Sequence, residues 1–142
     1  MKAFTETETR EIESRFQEVL QNCHLCRNQK DKDLINKAFQ VANEAHKGMW
    51  RKSGEPYIFH PLSVAMIVTK EMGLGPKAVA CAFLHDIVED TDYTIEDIEH
   101  QFGKKIASII DGLTKISGVF DQRSTLQAEN FRRLLLTMSD DV

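Results

Sequence analysis

Residues 81–92 read CAFLHDIVEDTD. An imidazole and a carboxylate, His85 and Asp86, interrupt an otherwise apolar run, and Glu89, Asp90 and Asp92 follow it. A buried, unpaired carboxylate is costly, so the pair demands compensation. A divalent cation supplies it directly, because imidazole nitrogen and carboxylate oxygen are both good ligands. Neighbouring residues on a helix diverge by ~100°, so both reach one ion only if it sits off the helix near its end, with further ligands from elsewhere. His60 is the best candidate, at a helix start behind an aromatic-rich loop. Glu89 and Asp90 lie three and four residues beyond Asp86, on the same helical face, placed to orient a water or take its proton. Each residue also has a plainer reading. His85 could be a core histidine bonded to backbone, Asp86 a cap, and the acidic cluster a solvated helix end. It is the combination of His60, His85, Asp86, Glu89 and Asp90 that points to metal-assisted chemistry. His46, just before Gly48, reads as a core or helix-end histidine, and His24 and His100 sit among polar residues as surface histidines.

The elements that must position these residues are helical. Ile12, Phe16, Val19, Leu20 and Cys23 form one stripe, and Ile35, Phe39, Ala42 and His46 a second. Ile95/Ile98/Phe102, Ile106/Ile109/Ile110/Leu113 and Phe131/Leu134/Leu135/Met138 repeat the spacing of a core-facing helix face. Residues 78–88 are apolar nearly all round apart from His85 and Asp86, the pattern of one buried helix. Thr94 with Asp97 three residues on is close to a capping box, Gly103 ends that helix, and Pro61 stands where a helix begins. The spacing predicts six or seven helices, no sheet, and one domain over residues 1–142. Residues 47–61, KGMWRKSGEPYIFHP, form a long connection whose Trp50, Tyr57, Ile58 and Phe59 predict a packed rather than a loose loop.

Composition bounds the alternatives. With 42% hydrophobic and 28% charged residues, the 142-residue chain is ordinary globular material. A net charge of −4 argues against a general nucleic-acid surface. No apolar run approaches the ~20 residues of a membrane span. The polar, acidic start, MKAFTETETREIE, is not a signal peptide, so a cytoplasmic location is expected. Three cysteines are an odd number, which suits a reducing compartment. Cys23 and Cys26 form a single CHLC without a second pair for zinc, and are expected to be ordinary helix cysteines.

Two longer stretches, AHKGMWRKSGEPYIFHP and AFLHDIVEDTDYT, resemble the N-terminal hydrolase domain of RelA/SpoT-type enzymes, which act on the alarmones ppGpp and pppGpp. The resemblance continues through DGLTKI and QAENFRRLLLTMSDDV, from about Asp33 onward. It implies an all-α, HD-type helical bundle and a 3′-pyrophosphohydrolase that converts (p)ppGpp to GDP or GTP. It also implies manganese as cofactor, with His60, His85 and Asp86 among its ligands. Glu89 and Asp90 match the acidic pair associated with water activation, and Arg51, Lys52 and Ser53 the loop bordering the guanine nucleotide. Met49 stands where glutamine is common in that family.

The family's fourth protein ligand is an aspartate within a pattern like LADRLHN, which does not occur in this sequence. Asp140 and Asp141 match residues leading into that helix. The expectation is therefore a fragment of a longer stringent-response protein, weak or inactive as a hydrolase by itself. Two other readings stay open: an HD phosphohydrolase for another nucleotide, and a non-catalytic alarmone-binding regulatory module. A purely structural helical domain is a third, in which replacing His85 or Asp86 by apolar residues is neutral or stabilising.

Overall fold

The computed structural model describes residues 4–51, 53–71 and 73–119. Lys52, the Phe131/Leu134/Leu135/Met138 stripe, Asp140 and Asp141 lie outside these residues. Seven helices run through the described part: α1 (Glu6–Asn22), α2 (Gln29–Ala45), α3 (Phe59–Met66), α4 (Pro76–Leu84), α5 (Ile87–Asp90), α6 (Ile95–Phe102) and α7 (Lys104–Val119). A π-helical turn, Ile67–Glu71, continues α3. The described residues hold no strand, only one isolated antiparallel bridge between Trp50 and Pro56. The all-α class read from the stripes is the observed one. The chain divides into two compact units, Met1–Leu84 and His85–Val142.

The first unit is built on an aromatic trio. Phe16 of α1 stacks on Phe39 of α2 with ring centroids 4.0 Å apart. Phe83 of α4 meets both edge-on, at 5.9 and 5.5 Å. These offset and edge contacts are the geometries that the ring quadrupole favours. Ile12, Val19, Ile35, Ala38 and Ala42 extend the same buried faces of α1 and α2, as their i, i+3, i+4 spacing requires. Ala80 and Ala82 keep α4 slim, and α2 packs along it more extensively than any other pair of helices in this unit. Helix α1 begins with a full capping box: the Glu8 N–H donates to Thr5 Oγ1 at 3.1 Å, and the Thr5 N–H to Glu8 Oε1 at 2.9 Å. Asn28 caps α2 by accepting from the Asp31 N–H at 2.9 Å. Pro61 falls inside the first turn of α3 rather than at its first position, and Ile58 takes the cap. Proline is tolerated there because the first-turn N–H groups have no intrahelical partner.

The second unit opens with α5 and continues through α6, which packs on α7. Thr94 and Asp97 form the expected reciprocal cap at 3.1 and 3.0 Å. Gly103 ends α6 at φ +95°, a backbone conformation that glycine takes without steric cost. Ile98, Ile106, Ile109 and Ile110 are buried.

Two expectations are corrected. Residues 78–88 are not one helix: α4 stops at Leu84, His85 and Asp86 form a turn, and α5 starts at Ile87. Apolar residues flank this turn on both sides and no glycine or proline marks it, so periodicity carries no sign of a helix break. Cys23 and Cys26 are not ordinary helix cysteines. Cys23 caps the C-terminus of α1, Cys26 lies in the corner beyond, and the two are joined by a disulfide.

Candidate functional site

His85 and Asp86 are the only two polar residues at the α4–α5 turn, and both are buried, at 5% and 2% exposure. Asp86 has φ −88° and ψ −15°, within the right-handed helical region, so the turn keeps ordinary backbone geometry. His85 Nε2 lies 3.2 Å from Asp86 Oδ2. Because both belong to a turn rather than a helix, they point together instead of diverging by ~100°. The Asp86 carbonyl accepts from the Asp90 N–H at 2.9 Å, so the single turn of α5 hangs directly from the Asp86 backbone. Thr91 closes that turn. Its N–H and its hydroxyl both donate to the Ile87 carbonyl, at 3.0 and 2.5 Å, and its Oγ1 accepts from the Tyr93 N–H at 3.2 Å. Glu89 and Asp90 are exposed. The second unit thus presents a buried imidazole–carboxylate pair with two solvated carboxylates one helical turn on.

In the first unit, His60 is the second residue of α3 and is half-buried. Its N–H donates to the Tyr57 carbonyl at 2.9 Å. The Tyr57 ring lies against two imidazoles, with centroids 4.7 Å from His46 and 5.9 Å from His60. His46, fully buried, has Nδ1 3.0 Å from the Ala42 carbonyl. A carbonyl only accepts, so the proton belongs on Nδ1. On the other flank, the Arg15 guanidinium stands 4.4 Å above the ring of Phe59, the residue before His60, and reaches Glu11 at 2.9 Å. Helix α1 therefore clamps the start of α3.

Arg51 and Ser53 ride on the turn that precedes this helix. The Arg51 N–H donates to the Glu55 carbonyl at 2.9 Å, the Gly54 N–H to the Arg51 carbonyl at 2.8 Å, and the Tyr57 N–H to the Met49 carbonyl at 3.0 Å. Gly54, at φ +92°, supplies the left-handed residue that closes the turn. Phe4 meets Trp50 edge-on at 5.6 Å at its base. The loop packs, as its aromatic content predicted, and leaves Arg51 and Ser53 exposed at the tip.

The structure thus brings His85 to Asp86, keeps Glu89 and Asp90 on the adjoining turn, and places Arg51 and Ser53 together on the turn ahead of His60. Helical stripes did not single out Tyr57 or Arg15 as neighbours of the His60 segment. Tyr57 carried a signal in its place within an aromatic-rich loop. Arg15 carried none, since a cation on the flank of an amphipathic helix reads as solvated.

A helical domain with an adjacent, buried His–Asp pair is the pattern from which one family takes its name. The chain belongs to the HD domain family, whose model matches residues 38–142. It is 42% identical over 111 residues to the guanosine-3′,5′-bis(diphosphate) 3′-pyrophosphohydrolase of Vibrio cholerae. It is 47% identical over 110 residues to the probable enzyme of that name from Synechocystis. It is 42% identical over 109 residues to the bifunctional (p)ppGpp synthase/hydrolase SpoT of Escherichia coli K12. These matches cover 78, 77 and 76% of this chain but 16, 14 and 15% of the relatives, so the chain spans only a small part of their length. The resemblance to RelA/SpoT-type hydrolase domains is thereby borne out. Among the described residues, no helix is long and apolar enough to cross a membrane.

Proposed function

We propose that this domain is a divalent-metal-dependent 3′-pyrophosphohydrolase of (p)ppGpp. The observation that carries the proposal is the buried His85–Asp86 pair, 3.2 Å apart, with Glu89 and Asp90 on the adjoining turn. Similarity to relatives named for this reaction supports the substrate.

The donor chemistry fits a metal. His60, His85 and Asp86 each offer one ligand atom, and we assign all three to a single ion. Manganese is the proposed ion, although the same nitrogen and oxygen donors accommodate iron, cobalt or zinc. When bound, it would stabilise charge on the phosphoryl oxygens as a Lewis acid. Asp86 and His85, held together by the turn, would orient that ligand set. Glu89 or Asp90 would accept the proton of the attacking water, a role that their solvent exposure allows. Attack at phosphorus breaks its bond to the nucleotide's 3′ oxygen, and GDP or GTP leaves with pyrophosphate. Arg51, always charged and planar, would stack on the guanine or grip a phosphate. Lys52 and Ser53 complete that edge of the nucleotide site. The location that goes with this reading is the cytoplasm.

The test is manganese-dependent release of pyrophosphate from ppGpp by the chain and by Asp86→Asn. Release by the parent alone supports the proposal. Release that Asp86→Asn leaves unchanged overturns it, and so does none from a folded and metal-loaded form extended by about one helix of ~15 residues, since the chain by itself is expected to be weak or inactive.

A further inference from the structure

The Cys23–Cys26 disulfide plays no part in the proposed hydrolysis and lies at a different corner of the first unit. The bond spans a sequence separation of 3, closing the connection between α1 and α2. Cys23 is the last cap of α1: its N–H donates to the Leu20 carbonyl at 3.3 Å, and its carbonyl accepts from the Cys26 N–H at 3.2 Å. The sulfur-bearing residues are buried, at 5% and 8% exposure, while His24 and Leu25 between them are exposed. Leu25, at 45%, is the one exposed large hydrophobic side chain among the described residues. Its Cβ and Cδ1 lie 3.7 Å from the point where a side chain on Gly75 would begin. The corner therefore rests against the segment that leads into α4.

The third cysteine shows what an inert thiol looks like in the same unit. Cys81 is fully buried on α4, and burial pushes its thiol up to about 12. A thiol so rarely ionised neither attacks nor exchanges. The CHLC pair is also buried but differs in two respects: its two sulfurs are bonded to each other, and the residues between them, His24 and Leu25, are exposed. In a reducing compartment a disulfide of this kind is usually a transient, redox-responsive bond rather than a permanent staple. That compartment rests on the functional reading above; the pairing of the two cysteines does not.

We propose that Cys23 and Cys26 form a thiol–disulfide exchange site, whose partner is a small thiol of the glutathione class. In the reducing direction, the thiolate of the small molecule attacks the sulfur of Cys26, the slightly less buried residue of the two. The Cys23–Cys26 bond breaks, and Cys23 leaves as a thiolate and takes up a proton. A second small thiolate then attacks the mixed disulfide and frees Cys26. One protein disulfide and two small thiols become two protein thiols and one small disulfide. The oxidising direction is the reverse. Oxidation ties the end of α1 to the connection ahead of α2; reduction leaves that junction held by the Asn28 cap and the packing of Phe16 on Phe39.

The test needs no enzymatic activity, so its failure is separate from a failure of the hydrolase reading. The chain is equilibrated in mixtures of reduced and oxidised glutathione, quenched with acid, unfolded, alkylated and weighed. With three cysteines in the sequence, the reduced chain takes three adducts and the oxidised chain one. The expected result is a single step between these two masses as the glutathione ratio changes. The reduced form should melt about 5 °C below the oxidised form. The double substitution Cys23→Ser, Cys26→Ser should melt at the reduced value in every mixture. Three adducts even in fully oxidised glutathione would overturn the proposal. So would one adduct throughout, which describes a permanent staple. Equal melting of the two forms would remove any structural consequence of the exchange and overturn that part.

Discussion

The turn that carries Arg51 holds its shape with backbone hydrogen bonds and leaves its side chains in water. The corner that carries His85 and Asp86 does the reverse, burying both side chains where the backbone passes from one helix to the next. A side chain on an exposed turn can be exchanged with little effect on folding, and is free to meet a ligand that arrives from solvent. A buried carboxylate has no such freedom, because its charge must be compensated wherever it stands. The two regions thus suit different tasks: recognition of a charged nucleotide at the turn, and retention of a cation at the corner.

Substitutions can break this comparison. The largest effect is expected at Asp86. Asp86→Asn should lower pyrophosphate release by more than ~100-fold, beyond the loss usual for groups that merely support a ligand. Its stability should respond differently too. At 100 times the dissociation constant, manganese should stabilise the parent by about 2.7 kcal/mol and leave Asp86→Asn unmoved, measured by thermal unfolding with and without a chelator. Without metal, Asp86→Leu should be neutral or stabilising, since it removes a buried charge. A parent whose unfolding does not respond to manganese, together with a neutral Asp86→Leu, would return the corner to the purely structural reading.

Next in size, Glu89→Gln and Asp90→Asn separate proton transfer from ion binding. Whichever residue takes the proton should lose about 100-fold in kcat when neutralised, while manganese affinity stays the same. Unchanged kcat in both variants would return this pair to the status of a solvated helix end.

At the turn, Arg51→Ala should raise KM for ppGpp about 10-fold, the loss of a charged contact worth ~1.4 kcal/mol, with the melting temperature unchanged. A fall in kcat at constant KM would move Arg51 from recognition to the reacting phosphate. The smallest effect is expected at the residue after the tip's serine, in shape rather than charge. Gly54→Ala meets no atom within 4 Å, so its cost is conformational alone, about 1 kcal/mol at φ +92°, read as a drop in unfolding free energy in urea.

Much of the fold was legible because helix faces repeat. Phe16, Phe39, Ile98 and Ile110 were each placed in a stripe by spacing, and each is buried. The caps at Thr94 and Gly103 were legible for the same reason: they depend on residues three to nine positions apart. His46 also sits where its pattern put it, fully buried at the end of α2. The turn at His85–Asp86 was not legible. Breaking α4 at Leu84 costs local hydrogen bonds and gains a convergent side-chain pair, a trade that no local pattern records. The disulfide was missed because CHLC allows helix, metal and disulfide geometries alike, and only the corner after Asn22 brings the sulfurs together.

The sequence by itself determined the helical class, the chemical identity of the His/Asp/Glu constellation, and the family resemblance, since these reside in residue types and spacings along the chain. Tertiary structure decided which side chains share a turn, which are buried, and which lie against the segment carrying His60. Tyr57 between two imidazoles and Arg15 over Phe59 are contacts of that kind. They arise when α1 and the 47–61 connection fold onto α3, and linear spacing carries no information about such encounters.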